Sequence, residues 1–259
     1  MLIWTFNEPF PNAAHGSIMD YYGSPRMAFY ASRRSNAALV ASLQYDNIWT
    51  HANAPLNATV WVDSESGLPW SGTLHVDFFR ASGGALGSEE QSIYVAPSEG
   101  LRLHPLAFVV PADAVNGTLL VRLRLLSTND RAPAFDDVYA FGVVPPNVPE
   151  SDVRAPLAEL LRLPTTTLSV IVGASRVVVI TNTGAALAVF VKVTPRDASG
   201  SPLGFVAFQD NFVLLEPRES RHLAMTGPGV PHVASVSAEA WNSEPVAARA
   251  VAGQPAMAS

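Results

Sequence analysis

The chain has 259 residues, which at about 150 residues per domain reads as one or two domains with an additional piece. Its 48% hydrophobic residues supply a sizeable core and exclude intrinsic disorder, while the 15% charged residues fall below the roughly 25% usual in soluble domains. A net charge of −6 gives no basic footprint, so no nucleic-acid partner is expected. The absence of cysteine removes disulfides, thiolate nucleophiles and cysteine-ligated zinc, and leaves the compartment open.

No membrane partner is expected either. The most apolar stretch, 168–193, is cut by Arg176 and by Asn182-Thr183-Gly184, short of the roughly 18 uninterrupted apolar residues a span needs. At the start, Trp4, Asn7, Glu8 and Pro9 leave no charged region or long apolar core, so no secretory signal is expected there.

Along the chain, Leu2-Ile3-Trp4-Thr5-Phe6 predicts a buried strand, stopped by the rigid loop Asn7-Glu8-Pro9-Phe10-Pro11-Asn12. Ser24 offers an N-cap with Pro25 at the first helical position, and Met27, Tyr30 and Ala31 fall on one helical face. Arg33 and Arg34 sit near the end of that helix, where its dipole favours cations. Residues 1–37 therefore read as one βα unit of a larger sheet. From Ala38 the period becomes two, as in 58–63, 73–78 and 119–125, with turn residues every 8–12 positions. This predicts a β-sandwich over 38–145. Pro145-Pro146-Asn147-Val148-Pro149-Glu150 opens a linker over 146–164, in which 156–164 carries one amphipathic turn. A second alternating series predicts another sandwich over 165–252, followed by a disordered tail at 253–259. Both sandwiches are expected to be antiparallel, with a helix only near 25–36.

Candidate chemistry is sparse. Asn7-Glu8-Pro9 imitates the way retaining (β/α)8 glycosidases present a general acid. That mechanism needs a second carboxylate about 5–5.5 Å away on another barrel strand, and Glu8 has no evident partner of that kind. His75 and Asp77 share a strand face, which is two groups short of a zinc set, so no metal is expected. Asp136-Asp137 and Asp210-Asn211 read as turn residues ahead of strands. Asn57-Ala58-Thr59 and Asn116-Gly117-Thr118 are glycosylation sequons, relevant only to a secreted eukaryotic chain. Trp49, Trp61 and Trp70 keep open another class of function: a tandem sandwich that binds carbohydrate or protein without catalysis.

Two segments carry a family resemblance. Trp4-Thr5-Phe6-Asn7-Glu8-Pro9-Phe10-Pro11 and Asp20-Tyr21-Tyr22-Gly23-Ser24-Pro25-Arg26-Met27-Ala28-Phe29-Tyr30 resemble the last strand, loop and helix of the catalytic barrel in family 2 glycoside hydrolases, in the β-mannosidase and exo-β-glucosaminidase branch. Phe208-Gln209-Asp210-Asn211-Phe212 through Glu216-Pro217-Arg218-Glu219 resembles that family's C-terminal Asp-Asn-aromatic and Pro-Gly-Glu segment, with Arg218 where the family has glycine. Ala240-Trp241-Asn242 is similar to its closing Gly-Trp-Asn.

The resemblance implies the end of a (β/α)8 barrel followed by two immunoglobulin-like sandwiches. It implies a parent enzyme that removes β-linked sugars from non-reducing ends by a retaining mechanism, without a cofactor. In that family the acid and nucleophile lie on earlier barrel strands, so no catalytic residue is expected in this chain. Trp4 would form the apolar wall of the sugar site, with Asn7 and Glu8 supporting its rim by hydrogen bonding. The expected partners are a carbohydrate substrate, through the parent barrel, and the barrel itself.

Overall fold

The structure, a computed structural model, describes residues 6–8, 10–11, 16–127, 133–173 and 175–250. The expected strand at 2–6, all but its last residue, lies outside the described residues, as does the tail at 253–259. The chain is mainly β and divides into two compact units, one of residues 34–164 and one combining 1–33 with 165–259. Helix α1, Met27–Ser35, starts two residues after the expected first position, because Pro25 forms an antiparallel bridge with Met19.

The first unit holds β1 (Leu39–Tyr45), β2 (Trp49–His51), β3 (Ala58–Ser64), β4 (Trp70–Arg80), β5 (Ala85–Val95), β6 (Gly100–Pro105), β7 (Thr118–Ser127) and β8 (Phe135–Val144). They form two sheets, ordered β1-β3-β6 and β2-β8-β7-β4-β5. Alternation places Val60 and Val62 of one sheet and Leu74, Val76, Leu119, Val121, Leu123 and Leu125 of the other in a common core. Phe78 stacks on Phe108 within it, centroids 3.9 Å apart.

This unit corrects three expectations. Its pairs are not all antiparallel, because β2 runs parallel to β8, with Trp49 opposite Gly142. Residues 46–48 carry the chain from one sheet to the other without a hairpin, so no antiparallel partner is generated there. Second, Asp136 and Asp137 lie inside β8 and not in a turn; they are held by arginines, Asp136 by Arg122 and Asp137 by Arg34. Third, 146–164 is no free linker. It belongs to this unit and carries short 3-10 turns at Glu150–Asp152 and Ala158–Arg162. The Glu159 carboxylate accepts the Thr118 N–H. Pro156 presses on β8 so closely that a Cβ at Gly142 would stand 2.2 Å from its carbonyl oxygen, a contact only glycine allows.

The second unit holds β9 (Leu168–Val172), β10 (Val177–Asn182), β11 (Ala188–Arg196), β12 (Ala207–Phe208), β13 (Val213–Leu215), β14 (Ser220–Thr226), β15 (Ser235–Glu239) and β16 (Val246–Arg249). Two four-stranded sheets, β12-β14-β10-β9 and β13-β11-β15-β16, enclose Val178, Ile180, Val191, Phe208, Leu215, Leu223 and Val236. Three buried asparagines close its loops. Asn182 donates to Ala186 O and Leu215 O, Asn211 exchanges bonds with the Val193 backbone, and Asn242 bridges Val189 N–H and Leu187 O. The segment 1–33 groups with this sandwich and does not stand apart. Among the described residues no helix is long and apolar enough to cross a membrane.

Candidate functional site

Of the three residues expected at a sugar site, Trp4 lies outside the described residues. Asn7 is exposed and forms a parallel bridge with Met19, whose N–H donates to Phe6 O at 3.0 Å. Glu8 is buried, its side chain only 2% exposed, and its Oε1 stands 2.6 Å from Arg26 Nη2. That oxygen lies off the N–H directions, so the contact is an ion pair and not a directed hydrogen bond. Arg26 is placed by its own backbone, whose N–H donates to Ile18 O. A carboxylate committed to a guanidinium in this way fixes the loop end; glycoside hydrolysis would require a second carboxylate across the sugar.

The Asp20–Pro25 segment is a tight turn with its own internal bonds. Asp20 Oδ1 and O accept from Ser24 N and Gly23 N, at 2.7 and 3.1 Å. Gly23, at φ +79°, lies so close to the Phe205 ring that a Cβ would meet it at 2.8 Å, and the Phe205 N–H donates to Gly23 O. One turn further, α1 reaches β12. The Tyr30 phenol accepts Phe208 N–H at 3.2 Å, and Arg33 Nη1 donates to Phe208 O at 2.9 Å. The Tyr30 ring also packs at a tilt on Phe212, 5.9 Å away. Burial raises the Tyr30 pKa above 10, opposed by its bonds to Phe208 and Asn211. The two segments most specific to the family resemblance, 4–30 and 208–219, therefore touch through Tyr30, Phe208 and Phe212.

The other candidates sort into structural partners. His75 Nδ1 faces Glu90 at 3.0 Å, and Asp77 receives Arg124 at 2.6 Å, so these two neighbours serve different pairs. Trp61 donates its indole N–H to Gln44 and lies under Arg102, while Trp70 packs against the core. Trp49 lines a surface cleft with Asp46, Asn47, His51, Asn57 and Phe141. Both sequon asparagines are exposed. Sequence reasoning did not anticipate the roles of Asn182, Asn211 and Tyr30, because no local spacing separates a turn asparagine from one buried against a distant strand.

Comparison with known proteins agrees with this layout. Residues 149–243 match the family described as the exo-β-D-glucosaminidase Ig-fold domain. Among the curated proteins there is no match. The chain is similar in structure to the exo-chitosanase CsxA of Amycolatopsis orientalis, with a TM-score of 0.73 at 20% identity, over 95% of this chain and 30% of that one. It is also similar to the β-D-mannosidase of Dictyoglomus thermophilum, with a TM-score of 0.60 at 18% identity, over 93% of this chain and 26% of that one. The chain thus spans less than a third of the length of either enzyme. The class is that of mainly β chains built from several sheets, with an Ig-fold domain over residues 149–243. Residues 149–243 match that Ig-fold family, and the chain resembles the C-terminal, non-catalytic part of a family 2 glycoside hydrolase.

Proposed function

We propose that the chain forms the C-terminal portion of an exo-acting hydrolase of β-linked sugars, in which residues 1–37 complete a (β/α)8 barrel and the two sandwiches support it. The observation that carries this reading is the match of 149–243 to the exo-β-D-glucosaminidase Ig-fold domain. A second feature supports the barrel contact: Phe6, Phe10, Tyr21, Tyr22 and Phe205 in the second unit are all about half exposed or more. Tyr21 and Tyr22 meet edge to face beside Gly23, on which Phe205 packs, and exposed aromatic surface of this kind marks binding faces.

In this reading the acid and nucleophile reside on earlier barrel strands and act by a retaining double displacement. Trp4 stacks on the terminal sugar, and Asn7 contributes a hydrogen bond at the rim. Glu8 acts through Arg26, as a positioning residue for the strand end.

The test uses p-nitrophenyl β-D-glucosaminide and β-D-mannoside. The 259-residue chain alone should release no nitrophenol above buffer, and the same chain joined to its barrel should turn over one of the two. In that joined enzyme, Trp4→Ala should lower kcat/KM by tens to a few hundredfold, roughly 2–3 kcal/mol, with little change in Tm. Turnover by the 259-residue chain that Glu8→Gln abolishes would overturn the proposal.

A further inference from the structure

The cleft beside β2 has a composition that no part of the proposed hydrolytic function uses. It encloses about 170 Å³ between the 46–48 crossing, β2, residues 54–57 and Phe141 of β8. At about 30 Å³ per water this is room for roughly five or six waters, enough to seat one small ring, and the cleft opens to solvent. Its polar groups are Asp46, Asn47, Thr50, His51 and Asn57; no lysine or arginine lines it.

These groups are already held in place. Asn57 Nδ2 donates to Asp46 Oδ2 at 3.3 Å, on the exposed rim of the cleft. His51 Nδ1 stands 3.0 Å from the Pro145 carbonyl oxygen. A carbonyl only accepts, so Nδ1 carries a proton and donates it there, which leaves Nε2 as the ring nitrogen available to a ligand. The Trp49 indole, half-buried, meets the His51 ring edge to face at 5.2 Å.

We infer that this cleft is a binding site for a single pyranose unit bearing a free amine. The apolar C–H face of a pyranose matches the Trp49 indole. Ring hydroxyls, which both donate and accept, match the amides of Asn47 and Asn57 and the His51 Nε2. An ammonium group matches the Asp46 carboxylate, in a cleft with no arginine or lysine to compete and on a chain of net charge −6. A neutral sugar would forgo the charge-assisted bond to that carboxylate, and a bare ammonium ion would leave the amides unused. The site lies wholly in the first unit and takes no part in turnover, so its failure and that of the proposed hydrolytic role are read separately.

The experiment titrates the 259-residue chain with glucosamine trimer, N-acetylglucosamine trimer, mannose trimer and choline, followed by calorimetry and by the Trp49 indole N–H resonance. Glucosamine trimer should bind and move that resonance, with the acetylated and mannose trimers at least about tenfold weaker. Asp46→Asn should abolish the preference for the free amine. Trp49→Ala should weaken glucosamine binding by about tenfold or more. Because Trp49 lies in a strand, urea midpoints of each variant accompany the titrations, and Asp46→Asn, at an exposed position, carries the test if Trp49→Ala unfolds. Equal affinity for the acetylated trimer, choline binding as tightly as glucosamine, an unmoved Trp49 resonance, or an Asp46→Asn variant with wild-type preference would each overturn the assignment.

Discussion

The Tyr30 phenol oxygen accepts the backbone N–H of Phe208 across 178 positions of sequence, and Arg33 takes the carbonyl of the same residue. Phe208 ends β12, a two-residue strand at the edge of its sheet. An edge strand presents unpaired backbone groups, and here two side chains of α1 cover them. The helix thereby joins the sandwich through polar bonds as well as the Tyr30–Phe212 contact.

Tyr30→Phe removes the acceptor and leaves a buried N–H without its partner. The expected cost is about 1–3 kcal/mol. Urea denaturation of the variant should show this loss, and amide exchange at Phe208 should accelerate more than at Val178 in the middle of the sheet. Unchanged exchange at Phe208 would show that the bond does not secure the edge.

Strands such as β4 and β10 were legible because each buries one face, which writes a two-residue period into the sequence. Helix α1 was legible in place, but of the expected face of Met27, Tyr30 and Ala31 only Tyr30 is buried. What stayed hidden acts over distance. The Asp136 partner lies 14 residues away, the Asn242 partners more than 50, and neither leaves a local pattern. The 146–164 segment reads as a linker because prolines dominate it, yet Pro156 and Glu159 anchor it to β8 and β7. The candidate sugar residues were legible only through resemblance, since nothing in the spacing of Trp4, Asn7 and Glu8 demands a saccharide.

Arg218 stands at φ +68°, in the left-handed region, where the resembled family has glycine. The turn keeps its bonds all the same: Arg218 N–H donates to Asn182 O, and Glu219 N–H donates to Glu216 O. A left-handed conformation costs a non-glycine residue roughly 1–2 kcal/mol, and glycine returns about 0.5–1 kcal/mol of that as unfolded-chain entropy. Arg218→Gly should therefore stabilise the chain by about 0.5–1 kcal/mol, measured as a higher urea midpoint at constant slope. A lower midpoint would mean that the exposed arginine makes a compensating interaction.

Tyr139 predicts an alkaline limit. Burial, followed by the neighbouring Asp137 charge, pushes its pKa up to about 12 from 10.0. Below pH 10 the phenol is protonated in folded and unfolded chains alike and adds no slope. Between pH 10 and about 12 the unfolded chain gives up the proton and the folded chain keeps it, so stability falls as pH rises. Tyr139→Phe should make the decline across this window shallower without abolishing it, because Tyr30 is raised as well. Urea midpoints at pH 9, 10 and 11 for both proteins measure the difference, and parallel declines would refute the assignment.

The last prediction concerns Arg122, which is fully buried on β7 and meets Asp136 through two bonds, Nε to Oδ1 at 3.0 Å and Nη2 to Oδ2 at 2.8 Å. Desolvating both charges costs several kcal/mol, which their attraction offsets only while both are present. Asp136→Ala strands the guanidinium in a region without water and should cost about 3–5 kcal/mol. Replacing both, as Arg122→Met with Asp136→Leu, removes the buried charge together with its counter-charge and should restore most of that loss. A double-mutant cycle by urea denaturation separates the two explanations of such a pair. If the double variant is as unstable as Asp136→Ala alone, the arginine contributes through bonds to the surrounding backbone and packing of its stem, and the ion pair is not the source of the stability.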